Sequence, residues 1–426
     1  MMDIAFYTKM VYNNIGQNSA HQRMLKTKDI IMAKFVYADN AATTAPSPEV
    51  IAAMTEAFST AWGNPSSQHS KGYEAKELVD NARASIAASL GAAPNEIYFT
   101  SGGTESDNWA IKGAAYRMRK KGRDHIVTTK IEHHAVLNTC MALEDEGFTV
   151  TYVGVDEYGK VLLDELRAAI TEKTGVVAVM MANNEIGTIE PIKEITEIAH
   201  AKGALMFTDA VQAVGAIPVN VKELGVDMLA LSGHKLHAPK GIGVLYIRRG
   251  LAIGNLIDGG GQERRKRGGT ENVPYIVALA KAIEIAVAKI PELDRVRAMR
   301  DRLIEELTRI PYSKLNGHPT DRLPGNCNIG FECIEGESIL MWLDMAGICA
   351  STGSACSSAS LDPSLVRLAI GVPHEKAPGS IRLSISHENT DEDIDYILDT
   401  LPGIIERLRK MSPLWEEIEN KEKMTK

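Results

Sequence analysis

Lys235 follows an apolar run, Leu229-Ala230-Leu231, through the small polar turn Ser232-Gly233-His234. Asp209 closes a second run, Ala204-Leu205-Met206-Phe207-Thr208. If both runs are strands of one sheet, an amine and a carboxylate arrive at the same edge. An amine can hold an aldehyde as an imine, and a carboxylate can keep a pyridine nitrogen protonated. The pair therefore suggests pyridoxal phosphate, whose protonated ring withdraws electrons. Taken alone, a surface lysine and a strand-end aspartate would fit the same letters. The neighbouring residues argue against that plainer account.

Ser101-Gly102-Gly103-Thr104-Glu105-Ser106 follows a strand-like run and opens a helical pattern reaching about Arg119. Backbone N–H groups of Gly103 and Thr104 at such a helix start, with the Thr104 hydroxyl, suit a phosphate monoester. Glycine and threonine there also serve as plain turn and cap. Ser232 and His234 can add phosphate donors beside Lys235. His133 offers a flat imidazole able to stack on a pyridine and relay protons, or a structural strand-end histidine. Asn184 and Gln212 are neutral groups suited to a phenolic oxygen, or to turns.

Cys356 lies in Ser351-Thr352-Gly353-Ser354-Ala355-Cys356-Ser357-Ser358-Ala359-Ser360, small and polar on both sides. A nucleophile must be reachable as thiolate, whereas a structural cysteine sits in an apolar run, as Cys349 does after Met345-Ala346-Gly347-Ile348. Arg382, in the strand-like Ser380-Ile381-Arg382-Leu383-Ser384, can clamp a carboxylate through its fork or pair with an acidic residue.

The elements that must position these residues alternate short apolar runs with helical patterns from about residue 95, the signature of βαβ units and a mostly parallel sheet. The runs Ile97-Tyr98-Phe99-Thr100, His125-Ile126-Val127-Thr128, Val176-Val177-Ala178-Val179-Met180 and Ile242-Gly243-Val244-Leu245-Tyr246-Ile247 are the clearest. Ligands in such sheets bind at the carboxyl ends of the strands, so five polar strand ends are expected to meet in one crevice. A helix is expected over 274–290, with a boundary at Pro291. Beyond it, amphipathic helices at 294–309 and 391–409 surround strands near 325–330 and 381–386, as in a smaller α+β lobe. The expected division is an N-terminal extension 1–31 outside the folded chain, with Met32 as the natural start; a segment 32–48 joining the small domain; a large cofactor domain 49–290; and a small domain 291–426 with the Cys356 loop. The charged stretch 415–426 reads as a frayed end.

At 426 residues the chain exceeds what one core usually serves. Its 44% apolar and 24% charged residues are ordinary for a globular protein, and no run nears the roughly 18 apolar residues of a membrane span. A net charge of −8 argues against nucleic-acid affinity; the local run Arg264-Arg265-Lys266-Arg267 reads as a solvated or cofactor-facing loop. Five cysteines without a CxxC pair fit neither a disulfide framework nor a metal site, and point to a reducing cytoplasm.

With these residues in hand, the chain resembles the pyridoxal-phosphate-dependent cysteine desulfurases of the class V aminotransferase group, of the NifS and IscS type. The resemblance spans about 36–417. It is carried by Asp39-Asn40-Ala41-Ala42-Thr43-Thr44, Gly63-Asn64-Pro65-Ser66-Ser67, the 100–107 segment, Glu132-His133, Asn183-Asn184-Glu185-Ile186-Gly187, Asp209-Ala210-Val211-Gln212, Ser232-Gly233-His234-Lys235, Arg267-Gly268-Gly269-Thr270-Glu271-Asn272 and Gly353-Ser354-Ala355-Cys356.

It implies an α/β protein of pyridoxal-phosphate fold type I, forming a homodimer, that converts L-cysteine to L-alanine and leaves sulfur as a persulfide on Cys356. By the same resemblance Lys235 is the Schiff-base lysine, Asp209 meets the ring nitrogen and His133 stacks on the ring. Gly103, Thr104, Ser232 and His234 hold the phosphate, with Thr270 from the other subunit. Asn184 and Gln212 flank the phenolic oxygen, and Arg382 takes the substrate carboxylate, with Asn184 also binding substrate. The sulfur would supply iron-sulfur cluster assembly or thiolation through a scaffold or acceptor protein. Rival readings are a selenocysteine lyase or aminotransferase on the same fold, and a non-catalytic sulfur carrier or scaffold. The 1–31 extension and the sequence after Glu417 have no counterpart in the resemblance.

Overall fold

The computed structural model describes residues 34–352, 364–374 and 376–425. Seven strands form the main sheet: β2 (Ile97–Thr100), β3 (His125–Thr129), β4 (Thr149–Val153), β5 (Thr174–Ala178), β6 (Leu205–Asp209), β7 (Met228–Ser232) and β8 (Gly243–Ile247), in the order 2-8-7-6-5-3-4. β8 alone runs against its neighbours β2 and β7; the other pairings are parallel. The run expected at 176–180 begins two residues earlier, and its last two residues, Val179 and Met180, pass into the loop that carries Asn184.

Apart from the edge strand β4, these strands are buried on both faces, which is why they read as apolar runs rather than alternating ones. Along β7, Met228 and Ala230 join one core while Leu229 and Leu231 join the other, the two-residue alternation of a strand sandwiched between helical layers. Helices α1 (Pro48–Thr60) and α2 (Ser70–Ser89) pack with α9 (Val273–Lys289) on one face; α3 (Gly103–Arg119) and α4 (His134–Asp145) cover the other. Between α4 and α9 lie α5 (Leu163–Ala169), α6 (Ile192–Ala201), α7 (Val221–Leu224) and α8 (Gln262–Arg265).

After a 3-10 turn at Ile290–Glu292, a third core gathers α10 (Asp294–Thr308), α11 (Gly336–Met345), α13 (Asp391–Lys410) and an antiparallel sheet of β9 (Ser313–Leu315), β10 (Asn326–Phe331) and β12 (Ser380–Ser384), ordered 12-10-9, while α12 (Leu365–Ala369) packs through Val366 against Ile131, Met180 and Ile186. Val36 and Ala38 belong to this core, because β1 (Val36–Tyr37) pairs with β11 (Ile348–Cys349). Of the stretch 415–426, expected to be frayed, residues 415–425 instead continue a helix, α14 (Pro413–Thr425). Trp415 docks it, edge-on to Tyr312 and beneath the Arg409 guanidinium. Cys349, expected to be a buried structural cysteine, is half-buried on the short strand β11. No described helix is long and apolar enough to cross a membrane.

Candidate active site

A cavity at the carboxyl ends of the main sheet is lined by Gly103, Thr104, His133, Asn184, Asp209, Gln212, Ser232, His234, Lys235 and Arg382, together with Ala41, Ala42, Asp107, Met180 and Val211. Residues separated by up to 341 positions in the chain thus face one space (382 − 41). Arg382 arrives from the antiparallel sheet and the others from the main one or from the segment after β1.

Lys235 closes a 3-10 turn, Gly233–Lys235, that continues directly from β7. Its Nζ donates to the carbonyls of Ala41 at 2.5 Å and Ala42 at 2.7 Å. The Ala41 carbonyl also accepts from Gln212 Nε2 at 3.0 Å, so the segment after β1 fixes two cavity residues at once. Asp209 is the last residue of β6 and is 6% exposed; its Oδ1 accepts from the Val211 N–H at 2.9 Å. Burial raises its carboxyl above the usual range, while His133, that N–H and Lys235 pull in the opposite direction.

His133 caps α4, its Nδ1 accepting from the Ala135 N–H at 3.1 Å. Since Nδ1 accepts, the neutral ring carries its proton on Nε2. Burial lowers the His133 pKa against the attraction of Asp209. His234 is lowered to about 4 by burial and then by Lys235 and Lys240, so it is neutral at pH 7, and its Nδ1 meets Thr43 Oγ1 at 3.1 Å.

At the phosphate end, α3 starts from Gly102 with no side chain capping it. Its first N–H groups face a cavity that also holds Ser232 and His234. Gly103 cannot be replaced freely: a Cβ there would come within 2.8 Å of Val211 Cγ2. An uncapped helix start, a buried strand-end carboxylate and a strand-end amine in one cavity fit pyridoxal phosphate by charge and by donor set.

Arg382 is 1% exposed on β12; Nη2 reaches Asp39 Oδ1 and Nη1 the Asn184 carbonyl, both at 2.9 Å. Its Nε is buried without a partner among the described residues. Thr270 is exposed and does not line the cavity of its own protomer. Cys356 lies outside the described residues. The run 264–267 is held against the protein: Arg264 lies over Tyr98 and donates to the Ile97 carbonyl, and Arg267 pairs with Glu105 in the first turn of α3.

Sequence reasoning assigned no role to Asp107. It is 1% exposed, and its Oδ1 has no partner among the described residues. Burial, with Asp209 and Glu132 adding their charge, raises its carboxyl well above the usual value. Its position three residues after Thr104 puts both on one helical face, which is the signal that could have found it. Asp39 and the carbonyls of Ala41 and Ala42 left no such signal.

Strands ending in a lysine, a carboxylate and a phosphate-ready helix start define a pyridoxal-phosphate enzyme of fold type I. Residues 36–397 match the family model for aminotransferase class V. A cysteine desulfurase IscS of Methanosarcina thermophila is 56% identical over 382 residues, covering 89% of this chain and 94% of that one. Among solved structures, a NifS-like protein superposes with a TM-score of 0.83 at 40% identity, over 88% of this chain and all of that one. A structure described as SspA in complex with cysteine gives 0.73 at 34% identity, over 82% and 98%. The chain belongs to the class V aminotransferase family, in its cysteine desulfurase group.

Proposed function

We propose that the cavity residues divide the work of sulfur transfer as follows. The protein is a pyridoxal-phosphate-dependent cysteine desulfurase that converts L-cysteine to L-alanine. Lys235 holds the cofactor, Gly103, Thr104, Ser232 and His234 bind its phosphate, and Asn184 and Gln212 flank its phenolic oxygen. The bound cofactor supplies an electron sink for negative charge at the substrate Cα. Asp209 keeps a positive charge at the ring nitrogen, and His133 covers the ring face. Arg382 clamps the substrate carboxylate with its fork, which orients the Cα–H bond toward Lys235. Lys235 Nζ, displaced by the substrate amine, takes that proton.

Sulfur then passes to the Cys356 thiolate: the substrate C–S bond breaks, an S–S bond forms, and Cβ gains a proton. The sum is L-cysteine plus one thiol giving L-alanine plus one persulfide, with no outside oxidant. One observation carries the reading, namely an amine, a buried carboxylate and an arginine fork facing the same cavity. The described cysteines fit a different task. Cys140, Cys327, Cys333 and Cys349 all have thiols raised by burial, Cys140 and Cys327 to about 12, and none of them lines the cavity.

The working unit is a homodimer in which Thr270 of one protomer completes the phosphate site of its partner. Support comes from the exposed Thr270 and from Ile51, Phe58, Trp62 and Tyr73, exposed apolar residues on α1, α2 and the connection between them. Residues 49–290 act as the cofactor domain and 291–426 as the small domain, which the segment 32–48 joins. The enzyme works in the cytoplasm and hands sulfur to an acceptor or scaffold protein. The test is Cys356→Ala, which should bind cofactor and L-cysteine yet form no persulfide; normal sulfide release by that variant would refute the assigned acceptor.

A further inference from the structure

Two carboxyls face the cavity, Asp107 and Asp209, and they are held differently. Asp209 Oδ1 accepts from the Val211 N–H, and His133 and Lys235 favour its ionised form. Asp107 Oδ1 is buried with no partner among the described residues, and the residue as a whole is 1% exposed. Glu132, the third acid of this layer, does not line the cavity. Thr129 Oγ1 at 2.6 Å and the Met180 N–H at 2.9 and 3.0 Å satisfy both its oxygens. Asp107 thus has the burial of a core residue without the bonding at Oδ1 that such burial demands.

Its place on α3 explains why. Asp107 stands one turn in, three positions after Thr104 and four after Gly103, so the helix that opens at the phosphate end carries it along the same cavity wall. Ser106, Trp109, Ala110 and Ile111 around it are buried. The carboxyl therefore faces the cavity rather than bulk water.

The titratable groups acting at this end are Asp209 on β6, Glu132 after β3, His133 at the start of α4 and Lys235 after β7. Burial, Asp209 and Glu132 all push the Asp107 pKa up. Two acids enclosed in one space of low dielectric do not both ionise. The one beside the cations does, and the other keeps its proton.

We propose that Asp107 is a second acid of the cofactor's ring site, un-ionised beside ionised Asp209 in the loaded cavity, with its O–H serving as a neutral donor at that end. The proposal deepens the proposed function and rests on the reading that Asp209 meets the ring nitrogen. One negative charge then faces one positive charge, a pair that can be sealed from water. A second carboxylate would be buried there without a counter-charge. Asp107 is a positioning residue, because it acts through Asp209 and the surroundings of the ring rather than on the substrate.

The test uses pyridoxine 5′-phosphate, which has the ring, phenol and phosphate but no aldehyde, so its binding to the apoprotein is independent of imine formation at Lys235. In equilibrium dialysis at pH 7, Asp107→Ala should bind it about tenfold more weakly than wild type, the scale of one buried hydrogen bond. Asp107→Asn, neutral and of the same shape, should recover most of that loss. Infrared difference spectra of the holoenzymes, wild type minus Asp107→Asn, should show the carbonyl stretch of an un-ionised carboxyl at pH 7. Absence of that band overturns the proposal. So does Asp107→Ala at wild-type affinity, which makes the residue a spectator, or Asp107→Asn as weak as Asp107→Ala, which makes its charge the requirement. Asp209→Asn in the same dialysis separates the two claims: wild-type affinity there removes Asp209 from the ring nitrogen, while the infrared band decides the state of Asp107 independently.

Discussion

The Arg382 guanidinium meets the Asp39 carboxylate at 2.9 Å, joining β12 to the segment that follows β1. Side-chain exposures of 2% and 19% make this a largely dry pair. The ion pair and the Asn184 carbonyl together orient the fork. Arg382→Lys keeps the charge but loses the planar donor set. The apparent affinity for L-cysteine should fall about 10- to 100-fold, as expected for one or two hydrogen bonds to a charged group, while cofactor binding changes little. Absorbance titration of the holoenzyme with L-cysteine and with L-alanine measures both.

Lys235→Ala removes the amine that Ala41 and Ala42 hold in place. Borohydride reduction of the wild-type holoenzyme should fix one cofactor mass per chain, and the same treatment of the variant should fix none. A cofactor adduct on another lysine of the variant would overturn the assignment.

Glu132 offers a pH test of the buried acidic layer. Its carboxyl is pushed up to about 8, chiefly by burial, although Thr129 Oγ1 and the Met180 N–H bond to it. The folded state thus holds this proton more tightly than the unfolded chain does. That contribution to stability is complete below the unfolded value of about 4.3 and is lost as pH rises through about 8. His234, lowered to about 4, has the opposite sign: its contribution is present above about 6.5 and is lost as pH falls toward 4. The melting temperature of apo Glu132→Gln should therefore decline less than that of wild type between pH 5 and 8, with the acid-side decline unchanged. Parallel curves across that window would refute the assignment.

Arg267 pairs with Glu105 through two bonds, at 2.9 and 3.1 Å, linking the first turn of α3 to the arm that carries Thr270. Arg267→Ala should weaken cofactor binding about tenfold, the scale of one charge-assisted contact. With cofactor saturating, turnover should stay near wild type. Equilibrium dialysis of cofactor against the apoprotein measures the first effect and steady-state kinetics the second.

Much of the site was legible because strand-end chemistry is local. Lys235 and Asp209 each close an apolar run, and Gly103 opens a helix whose pattern reached Arg119, where the helix ends. The direction of β8 was not legible: Ile242-Gly243-Val244-Leu245-Tyr246-Ile247 reads the same whether its neighbours run with it or against it. Contacts such as Glu185–Ser364 and Lys235–Ala41 join residues 179 and 194 positions apart, and no periodicity encodes a pairing of that kind. The helix over 413–425 was missed for a related reason, since its docking through Trp415 depends on Tyr312 and Arg409 in other elements.

All five residues of β7 are buried, and the lysine turn follows this strand without an intervening loop. Local opening spares such central strands until the whole molecule melts. The yellow of the loaded protein is thus a built-in thermometer of its interior, and heat should bleach it in step with the loss of the fold rather than before it.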